Sequence, residues 1–419
     1  MLVTVKRMSG AWLERNREHH LNANGSLRVC IVLSYDLDED GGGVKHHALH
    51  LARALRQGGD RVTVIGPSTV TRNTPEVVGF RGVVNVKSNG SDNRLGIFVS
   101  PVSVWRYFRH NRFDAIHIHE PLQPSLPYWA SWFTPGIPKI CTFHAFAEDA
   151  SWRLKAGRQV CAPLLLPLIG RAIAVSKPAA RYASDNWQRP ISVIPNGVAT
   201  DVFHPGARAG SGWRPGEGVL RLFYVGRLSD ERKGFRFLLE AFQRLRARGI
   251  PVELDAVGEQ AGAPMPPVMP GFTYHGAVTL AELVERYRAC DILVAPSTGQ
   301  ESFGIVLLEA MASGRAIVCS DIDGYREVVD DQGAVLVKPR DANSLEAAIA
   351  SLALDPARVA RMGDWNRRRV TAFDWLALAP RVRCEYEAAI ADPDNPFPIP
   401  AAPLVETSSP VQRDPRLPT

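Results

Sequence analysis

A repeated alternation of short apolar runs with longer stretches of helical spacing most constrains the fold of this chain. Residues 28–34 (RVCIVLS) are rich in β-branched side chains and predict a buried parallel strand. Apolar residues then recur at helical spacing from Val44 to Leu55, and residues 61–67 (RVTVIGP) predict a second strand. Because parallel strands need a crossover connection, these three segments form one βαβ unit.

The same alternation continues and then restarts after a Gly/Pro-rich linker at 205–218. The predicted strands are 114–121, 139–146, 171–177, 191–198, 221–227, 252–258, 291–297 and 316–324, with helices at 234–248 and 281–290. Two successive series of such units predict an α/β protein with two Rossmann-like doubly wound domains facing a central cleft. Ligands of such sheets bind beyond the carboxyl ends of the strands.

These patterns also give domain boundaries. The predicted segments are an N-terminal extension at 1–26, an N-terminal domain at 27–204, the linker at 205–218, a C-terminal domain at 219–372, a terminal helix at 373–391 and a Pro-rich tail at 392–419. The tail has no hydrophobic periodicity, so we expect it to be disordered.

Charge and cysteine content exclude several classes of protein. The formal net charge of +6 is mild for 419 residues and favours an anionic ligand or an anionic phospholipid surface over nucleic acid. The six cysteines form no CxxC pair, so we expect reduced thiols in a cytoplasmic protein. No apolar run has membrane-spanning length, and the N-terminus lacks the uninterrupted apolar core of a signal peptide. The oligomeric state is not predicted.

Two clusters are candidates for binding phosphate. Gly41–Gly43 separate a strand from a helix, where glycine permits close approach to the helix N-terminus, although a plain turn explains them equally well. Arg227 follows a strand, and Arg232 and Lys233 precede a helix, so the three cations can converge on a diphosphate. The alternative is a solvated basic loop, but flanking glycines favour a site.

No metal site is predicted. Asp36, Asp38 and Asp40 resemble the DxD motif of metal-dependent sugar transferases, but an exposed acidic loop explains them better. His117 and His119 share one face of a strand, and a metal there would need further ligands that the sequence does not show. We therefore interpret both histidines as structural or as part of a polar pocket.

The segment QESFGIVLLEAM (300–311) carries two carboxylates in an apolar run. Glu301 is predicted in a loop after a strand, and Glu309 about two turns into the next helix. Eight helical positions span at most about 12 Å, which is too long for an acid/base pair acting on one bond. The spacing suits two hydroxyl-rich groups at opposite ends of one ligand, and with cations nearby that ligand is a nucleotide sugar.

With these residues the chain resembles a retaining glycosyltransferase of family 4, which has GT-B architecture. The resemblance covers about residues 27–390 and rests on GGGV (41–44), TFHAF (142–146), AVSK (174–177), IPNGV (194–198), VGRLSDERKG (225–234), ESFGIVLLEAMASG (301–314) and FDW (373–375). The resemblance implies that FDW begins a terminal helix that crosses back to the N-terminal domain. Within the family, LSYDLDEDGGGVKHH and IHIHEP are most similar to actinobacterial phosphatidylinositol α-mannosyltransferases.

The resemblance implies an acceptor site in the N-terminal domain and a donor site in the C-terminal domain. The implied catalytic residues are His144, Arg227, Lys233 and Glu301. The implied donor-binding residues are Gly42, Gly43, Arg227, Arg232, Lys233, Glu301, Ser302, Phe303, Gly304, Ile305 and Glu309. The implied acceptor-binding residues are Tyr35, Lys45, Asn89, Arg94 and His144. Arg227 and Lys233 would stabilise the leaving diphosphate, Glu301 would hold the hexose and Glu309 the ribose.

The resemblance also implies the reaction. The enzyme would transfer a hexose to a lipid-linked or polyol acceptor such as phosphatidylinositol, and in the subfamily that the chain most resembles the donor is GDP-mannose. The anomeric configuration would be retained, and no cofactor or metal ion would be required. Lys45, Ala145 and Asp149 depart from that subfamily's pattern. A UDP-sugar with another acceptor, an epimerase or hydrolase acting on a nucleotide sugar, and a non-catalytic binding module therefore remain alternatives.

Residues 102–113 (VSVWRYFRHNRF) interleave aromatic side chains with arginines. This pattern predicts either an interfacial helix on the inner face of the plasma membrane or an ordinary half-buried helix.

Overall fold

The computed structural model describes residues 25–38, 42–70, 72–88, 91–123, 125–145, 162–206, 218–259, 266 and 268–391. The N-terminal extension, the Pro-rich tail and most of the linker therefore lie outside the described residues. The five cysteines that the structure describes are free thiols, four of them buried.

The N-terminal domain is built on a seven-stranded, fully parallel sheet with the strand order β3-β2-β1-β6-β7-β8-β9. Its strands are β1 (Arg28–Val32), β2 (Arg61–Pro67), β3 (Val77–Phe80), β6 (Ala115–His119), β7 (Lys139–Phe143), β8 (Arg171–Ala174) and β9 (Ile191–Val193), and an antiparallel hairpin is formed by β4 (Val83–Ser88) and β5 (Ser91–Gly96). Every residue of β6 and β7 is buried, as expected for central parallel strands covered on both faces.

The C-terminal domain repeats this architecture with six parallel strands in the order β12-β11-β10-β13-β14-β15. They are β10 (Leu220–Val225), β11 (Val252–Val257), β12 (Phe272–Tyr274), β13 (Ile292–Ala295), β14 (Ala316–Ser320) and β15 (Ala334–Val337). The prediction of two doubly wound α/β domains is confirmed.

Helices connect these strands. Those described in the N-terminal domain are α1 (Gly43–Gln57), α2 (Pro101–His110), α3 (Leu126–Trp132) and α4 (Lys177–Ala183). Those that follow are α5 (Phe235–Ala247), α6 (Leu280–Ala289), α7 (Ile305–Ala312), α8 (Asp323–Arg326), α9 (Ala342–Ala353), α10 (Pro356–Arg369) and α11 (Trp375–Ala391). Short 3-10 helices lie at Leu166–Leu168, Glu231–Lys233 and Val370–Phe373.

Helix α11 packs on the N-terminal domain although it follows the C-terminal domain in sequence. Trp375, Leu378 and Tyr386 belong to the same buried cluster as β1 and α1. The crossing point is pinned by the backbone: the amide of Val198 donates to the carbonyl of Phe373 at 2.9 Å, and the amide of Trp375 donates to the carbonyl of Val198 at 3.3 Å. This segment therefore joins the two domains.

Several local expectations were wrong. Most predicted strands were a few residues too long at their carboxyl ends, because the polar residues there turn into loops. Five of the described strands were not predicted: β3, β4, β5, β12 and β15. Ser91–Gly96 (SDNRLG), for example, has no hydrophobic alternation. Glu309 is the fifth residue of α7, just over one turn from its start rather than two.

Candidate active site

The glycine loop of the N-terminal domain lies against the start of α7 in the C-terminal domain. Gly42 precedes α1 with a φ of 107°, a conformation that side chains rarely adopt, and Gly43 opens the helix. A Cβ added to Gly43 would lie 3.3 Å from Cδ1 of Ile305. The predicted donor-binding segments of the two domains therefore face each other across the cleft.

Lys233 and Glu301 form an ion pair in the C-terminal domain beside this cleft. Lys233 ends the 3-10 helix after β10, and its Nζ lies 2.6 Å from Oε1 of Glu301 in the loop after β13. The hydroxyl of Ser297 approaches the same carboxylate oxygen at 3.3 Å and shares a hydrogen bond of 2.7 Å with the hydroxyl of Tyr325. A cation and a hydroxyl thus fix the carboxylate that the motif assigned to the hexose.

The two arginines of the same loop are held by other carboxylates. Nε of Arg227 lies 3.5 Å from Glu259, and Arg232 is paired with Asp230 at 2.6 Å. The carbonyl of Arg232 accepts from the amide of Thr298 at 2.7 Å, which ties the loop after β10 to the loop after β13. Of the three predicted cations, Arg232 thus pairs within its own loop, and the ion pair of Arg227 among the described residues is a long one.

Glu309 lies on α7 and accepts a hydrogen bond of 2.8 Å from the hydroxyl of Tyr287. Burial of its carboxyl group raises its pKa to about 7, although the hydrogen bond from Tyr287 acts in the opposite direction. Burial therefore favours the neutral form of this carboxyl group.

The four residues that follow Glu301 shape the start of α7. Ser302 and Phe303 form the turn, with Phe303 buried. Gly304 has a φ of 103°, and a Cβ there would lie 2.7 Å from the Tyr325 ring, so the position requires glycine. Ile305 then begins the helix, and its side chain is the group that approaches Gly43.

A cluster of buried histidines lies in the N-terminal domain. Nδ1 of His119 is 2.9 Å from Nε2 of His144, and the His47 ring stands 4.6 Å from the His144 ring at an interplanar angle of 88°. His117 is bonded through both nitrogens, at 2.7 Å each, to Tyr386 on α11 and to Thr142. His47 was not among the predicted site residues, and the only signal for it was its position in the first turns of the helix after the glycine loop.

Burial keeps these rings neutral. Desolvation lowers the pKa of His47 to about 4 and that of His117 to about 3, and it lowers the pKa of His144 well below the usual value. The neighbouring histidines add to the effect on His117 and His144, because one charged imidazole disfavours another. His144 therefore offers a neutral imidazole to whatever binds beside it.

Glu120 positions the loop that carries His144. Its Oε1 accepts hydrogen bonds from the amides of His144 and Ala145, at 2.7 Å each. Glu120 itself has a φ of 54°, which is uncommon for a residue with a side chain, and such conformations cluster at functional sites. Sequence reasoning missed this role, because no local pattern shows which backbone a carboxylate will reach.

Two of the predicted acceptor residues, Tyr35 and Arg94, lie at the β4–β5 hairpin. Tyr35 bridges to Leu95, and Arg94 is ion-paired with the buried carboxylate of Asp36 at 2.9 Å. Lys45 is buried in the first turn of α1. Asn89 and Asp149 lie outside the described residues.

The expectation of an exposed acidic loop at Asp36 to Asp40 was wrong for the two aspartates that the structure describes. Asp36 is buried, and Asp38 accepts hydrogen bonds from Ser68 and Thr69 and pairs with Arg72. Burial opposes ionisation of Asp38, but these hydrogen bonds outweigh it and lower its pKa below the usual range. Both carboxylates are thus engaged in holding the loop.

Comparison with known proteins agrees with this architecture. The model of the Glycosyltransferase Family 4 matches residues 41–202, and the model of Glycosyl transferases group 1 matches residues 220–355. The phosphatidyl-myo-inositol mannosyltransferase of Mycobacterium tuberculosis is 34% identical over 380 residues, covering 86% of this chain and 97% of that protein.

Solved structures show the same fold. Sucrose-phosphate synthase from Thermosynechococcus elongatus superposes with a TM-score of 0.66 at 21% identity, covering 87% of this chain and 99% of that one. Anabaena HepE in complex with UDP-glucose gives a TM-score of 0.66 at 15% identity, covering 86% of this chain and 100% of that one.

Fold and cleft together define a glycosyltransferase of GT-B architecture, an enzyme of the hexosyltransferase class. The two matched domains and the full-length mycobacterial relative show that this chain belongs to glycosyltransferase family 4.

Proposed function

We propose that this protein transfers a hexose from a nucleotide sugar, GDP-mannose before a UDP-sugar, to a lipid-linked or polyol acceptor such as phosphatidylinositol. The Lys233–Glu301 pair carries the proposal, because it places a cation and a hydroxyl-binding carboxylate 2.6 Å apart at the cleft. A cation can bind a diphosphate and a carboxylate can bind the hydroxyls of the attached hexose, so the pair supplies both kinds of group side by side. The similarity to the mycobacterial mannosyltransferase supports mannose and the inositol lipid.

The proposed mechanism retains the anomeric configuration. The acceptor hydroxyl attacks the face of the sugar that the diphosphate leaves, and a phosphate oxygen takes the acceptor proton. Catalysis is then positioning and charge stabilisation, with Lys233 and Arg227 on the leaving diphosphate and no required metal ion. The neutral ring of His144 lies beside the reacting sugar, held there by Glu120 and His119.

A calorimetric panel of nucleotide sugars, with and without magnesium, followed by turnover with phosphatidylinositol, tests the proposal. Tightest binding of GDP-mannose and formation of an α-mannoside without magnesium support it. Preference for a UDP-sugar would reassign the donor, and free mannose or an isomerised sugar without a new glycoside would show a hydrolase or an epimerase. Binding without any turnover would show a non-catalytic module.

Helix α2 supports a peripheral membrane contact, although its aromatic residues do not all face outwards. Phe108 is buried, and Tyr107 packs on Phe80. In contrast, Phe98, Val102 and Trp105 are 76%, 54% and 43% exposed. Arg106, Arg109 and Arg112 are exposed beside them, and no described helix is long and apolar enough to cross a membrane. The outward apolar side chains and the arginines suit an anionic lipid surface.

The double substitution Phe98→Ser/Trp105→Ser is expected to weaken binding to vesicles containing anionic lipid at low salt by roughly tenfold or more. Each large apolar side chain withdrawn from water contributes about 1.5–3 kcal/mol when fully buried. Co-sedimentation measures the effect. Leu354→Ser, at an 80% exposed position of the C-terminal domain, is the matched control. Equal binding of all three proteins would contradict a lipid-facing role for this surface.

Donor affinity is expected to fall with pH below about 7. The raised pKa of Glu309 means that its carboxyl group is protonated below this pH and ionised above it. A ribose diol donates hydrogen bonds best to the ionised form, so Kd should rise by about tenfold per pH unit on the acid side. Calorimetry with GDP-mannose between about pH 5.5 and 8 measures this. Glu309→Gln should bind more weakly and show a flat profile, and an unchanged slope in that variant would contradict the assignment.

A further inference from the structure

Three histidines from separate elements converge beside the cleft. His47 comes from α1, His119 ends β6 and His144 follows β7. One nitrogen from each ring lies within 4.8 Å of the other two, and among the described residues these three form the one group of histidine, cysteine or acidic side chains placed to hold a metal ion. We propose that His47, His119 and His144 form a binding site for one divalent transition-metal ion of the zinc class.

The spacing of the nitrogens is close to that of a bound ion. Tetrahedral Zn²⁺ with Zn–N bonds of about 2.0–2.1 Å needs its ligand nitrogens about 3.4 Å apart. Nδ1 of His119 and Nε2 of His144 are 2.9 Å apart, so their lone pairs already share one proton between them. Replacing that proton by a metal ion requires the ligand nitrogens to shift by about an ångström. Rotation of the imidazole rings about χ2 allows this, because the χ2 distribution of histidine is broad.

The hydrogen bonds around the cluster leave suitable nitrogens free. Nδ1 of His47 donates to Oδ1 of Asn196 at 2.7 Å, so the neutral ring keeps an unprotonated Nε2. An oxygen partner on the remote nitrogen is the usual way in which a protein orients a histidine ligand. Nε2 of His119 is buried and has no hydrogen-bond partner among the described residues. With Nδ1 of His119 as the ligand, this Nε2 carries the ring proton, so the neutral tautomer that coordination needs breaks no hydrogen bond at Nε2.

The nearby His117 does not belong to this site. Both of its nitrogens are already bonded, to the hydroxyls of Tyr386 and Thr142.

Three imidazole ligands leave one tetrahedral position for water, and the slight exposure of His47 and His144, 6% and 8%, marks the side from which an ion enters. Imidazole ligands select Zn²⁺, Co²⁺, Ni²⁺ or Cu²⁺ over Mg²⁺.

Occupation of the site opposes turnover rather than supporting it. Coordination through His144 turns a neutral ring beside the sugar into part of a dicationic centre. The ion should therefore inhibit transfer, and a chelator should relieve that inhibition. The binding site itself does not depend on the identity of the donor or the acceptor.

Cobalt titration of the full-length, chelator-treated protein tests the site without any activity measurement. All proteins carry the substitutions His19→Gln and His20→Gln in the N-terminal extension, since adjacent histidines bind metal ions by themselves. We expect one equivalent of Co²⁺ to give the strong visible absorption of a four-coordinate ion, and Zn²⁺ to displace it. Absorption no greater than that of free Co²⁺ would overturn the proposal.

Single variants locate the ion. His47→Gln and His119→Gln are expected to lower cobalt affinity by at least about tenfold, and Asn196→Ala by about 10–100-fold through loss of orientation. His46→Gln is the matched control, because His46 is the exposed neighbour of His47 on the same helix and lies outside the cluster. Circular dichroism checks the fold of each variant. Undiminished affinity in a folded His47→Gln protein, or an equal loss in His46→Gln, would place the ion elsewhere.

Discussion

Replacing Lys233 by alanine is expected to lower kcat by about 10²–10³-fold while leaving the fold intact. The ammonium group is the cation nearest to Glu301, at 2.6 Å, and no other described cation contacts that carboxylate. Without it, the negative charge that develops on the leaving diphosphate lacks its closest compensation. The side chains of Lys233 and Glu301 are 31% and 17% exposed, so loss of their ion pair should change the free energy of unfolding only slightly. Steady-state turnover with GDP-mannose measures the effect.

Two further variants test whether the loss of turnover is specific to the cations assigned to the diphosphate. Lys338→Ala removes an exposed lysine from the same domain and should leave kcat unchanged. Arg227→Ala should reduce kcat within the same range as Lys233→Ala, because the resemblance assigns both cations to the diphosphate. A kcat near that of the unmodified enzyme in the Lys233 variant would remove this residue from the mechanism and would leave Arg227 as the other implied catalytic cation to test.

Trp375→Ala is expected to destabilise the protein by about 3–5 kcal/mol, the usual cost of deleting a large buried aromatic side chain. Trp375 is only 4% exposed and fills the junction between the domains. Its ring packs so closely on Gly197 that a Cβ there would lie 2.5 Å away, and it meets the His47 ring edge-on at 4.7 Å. The variant should therefore unfold at lower urea concentration, followed by circular dichroism.

The neighbouring residue provides the control. Leu376 is 61% exposed on the same helix, so Leu376→Ala should change the free energy of unfolding by less than about 0.5 kcal/mol. If both variants unfold at the same urea concentration, α11 does not anchor the domains through Trp375. Because Trp375 also contacts His47, the Trp375 variant should bind Co²⁺ more weakly even where it remains folded.

Much of the fold was predictable because its signals are local. Buried parallel strands are short runs of β-branched residues, and β2 was predicted at its observed bounds, 61–67, since Gly and Pro mark its end. The same reasoning missed β5, because SDNRLG gains its strand conformation only from pairing with β4. Such a segment is stabilised by its partner rather than by its own propensity.

For the candidate site, the sequence supplied the chemical groups but not their partners. The motifs marked Lys233, Glu301 and Glu309, yet nothing local indicates that Lys233 pairs with a carboxylate 68 residues away. The spacing argument for the two glutamates also assumed a helix that begins earlier than α7 does. Assignment of the site residues to donor and acceptor stays a prediction that the variants above test.

The sequence by itself determined the α/β class, the two successive domains and the membership of a glycosyltransferase family, because periodicity and short motifs are properties of neighbouring residues. Only the tertiary structure decided which groups meet. It brought His119 to His144 across 25 residues and His47 to Asn196 across 149. It also placed Trp375 of the last helix against His47 in the N-terminal domain. Such contacts depend on the order of the strands in the parallel sheet and on the packing of α11 against the N-terminal domain, and no local pattern encodes them.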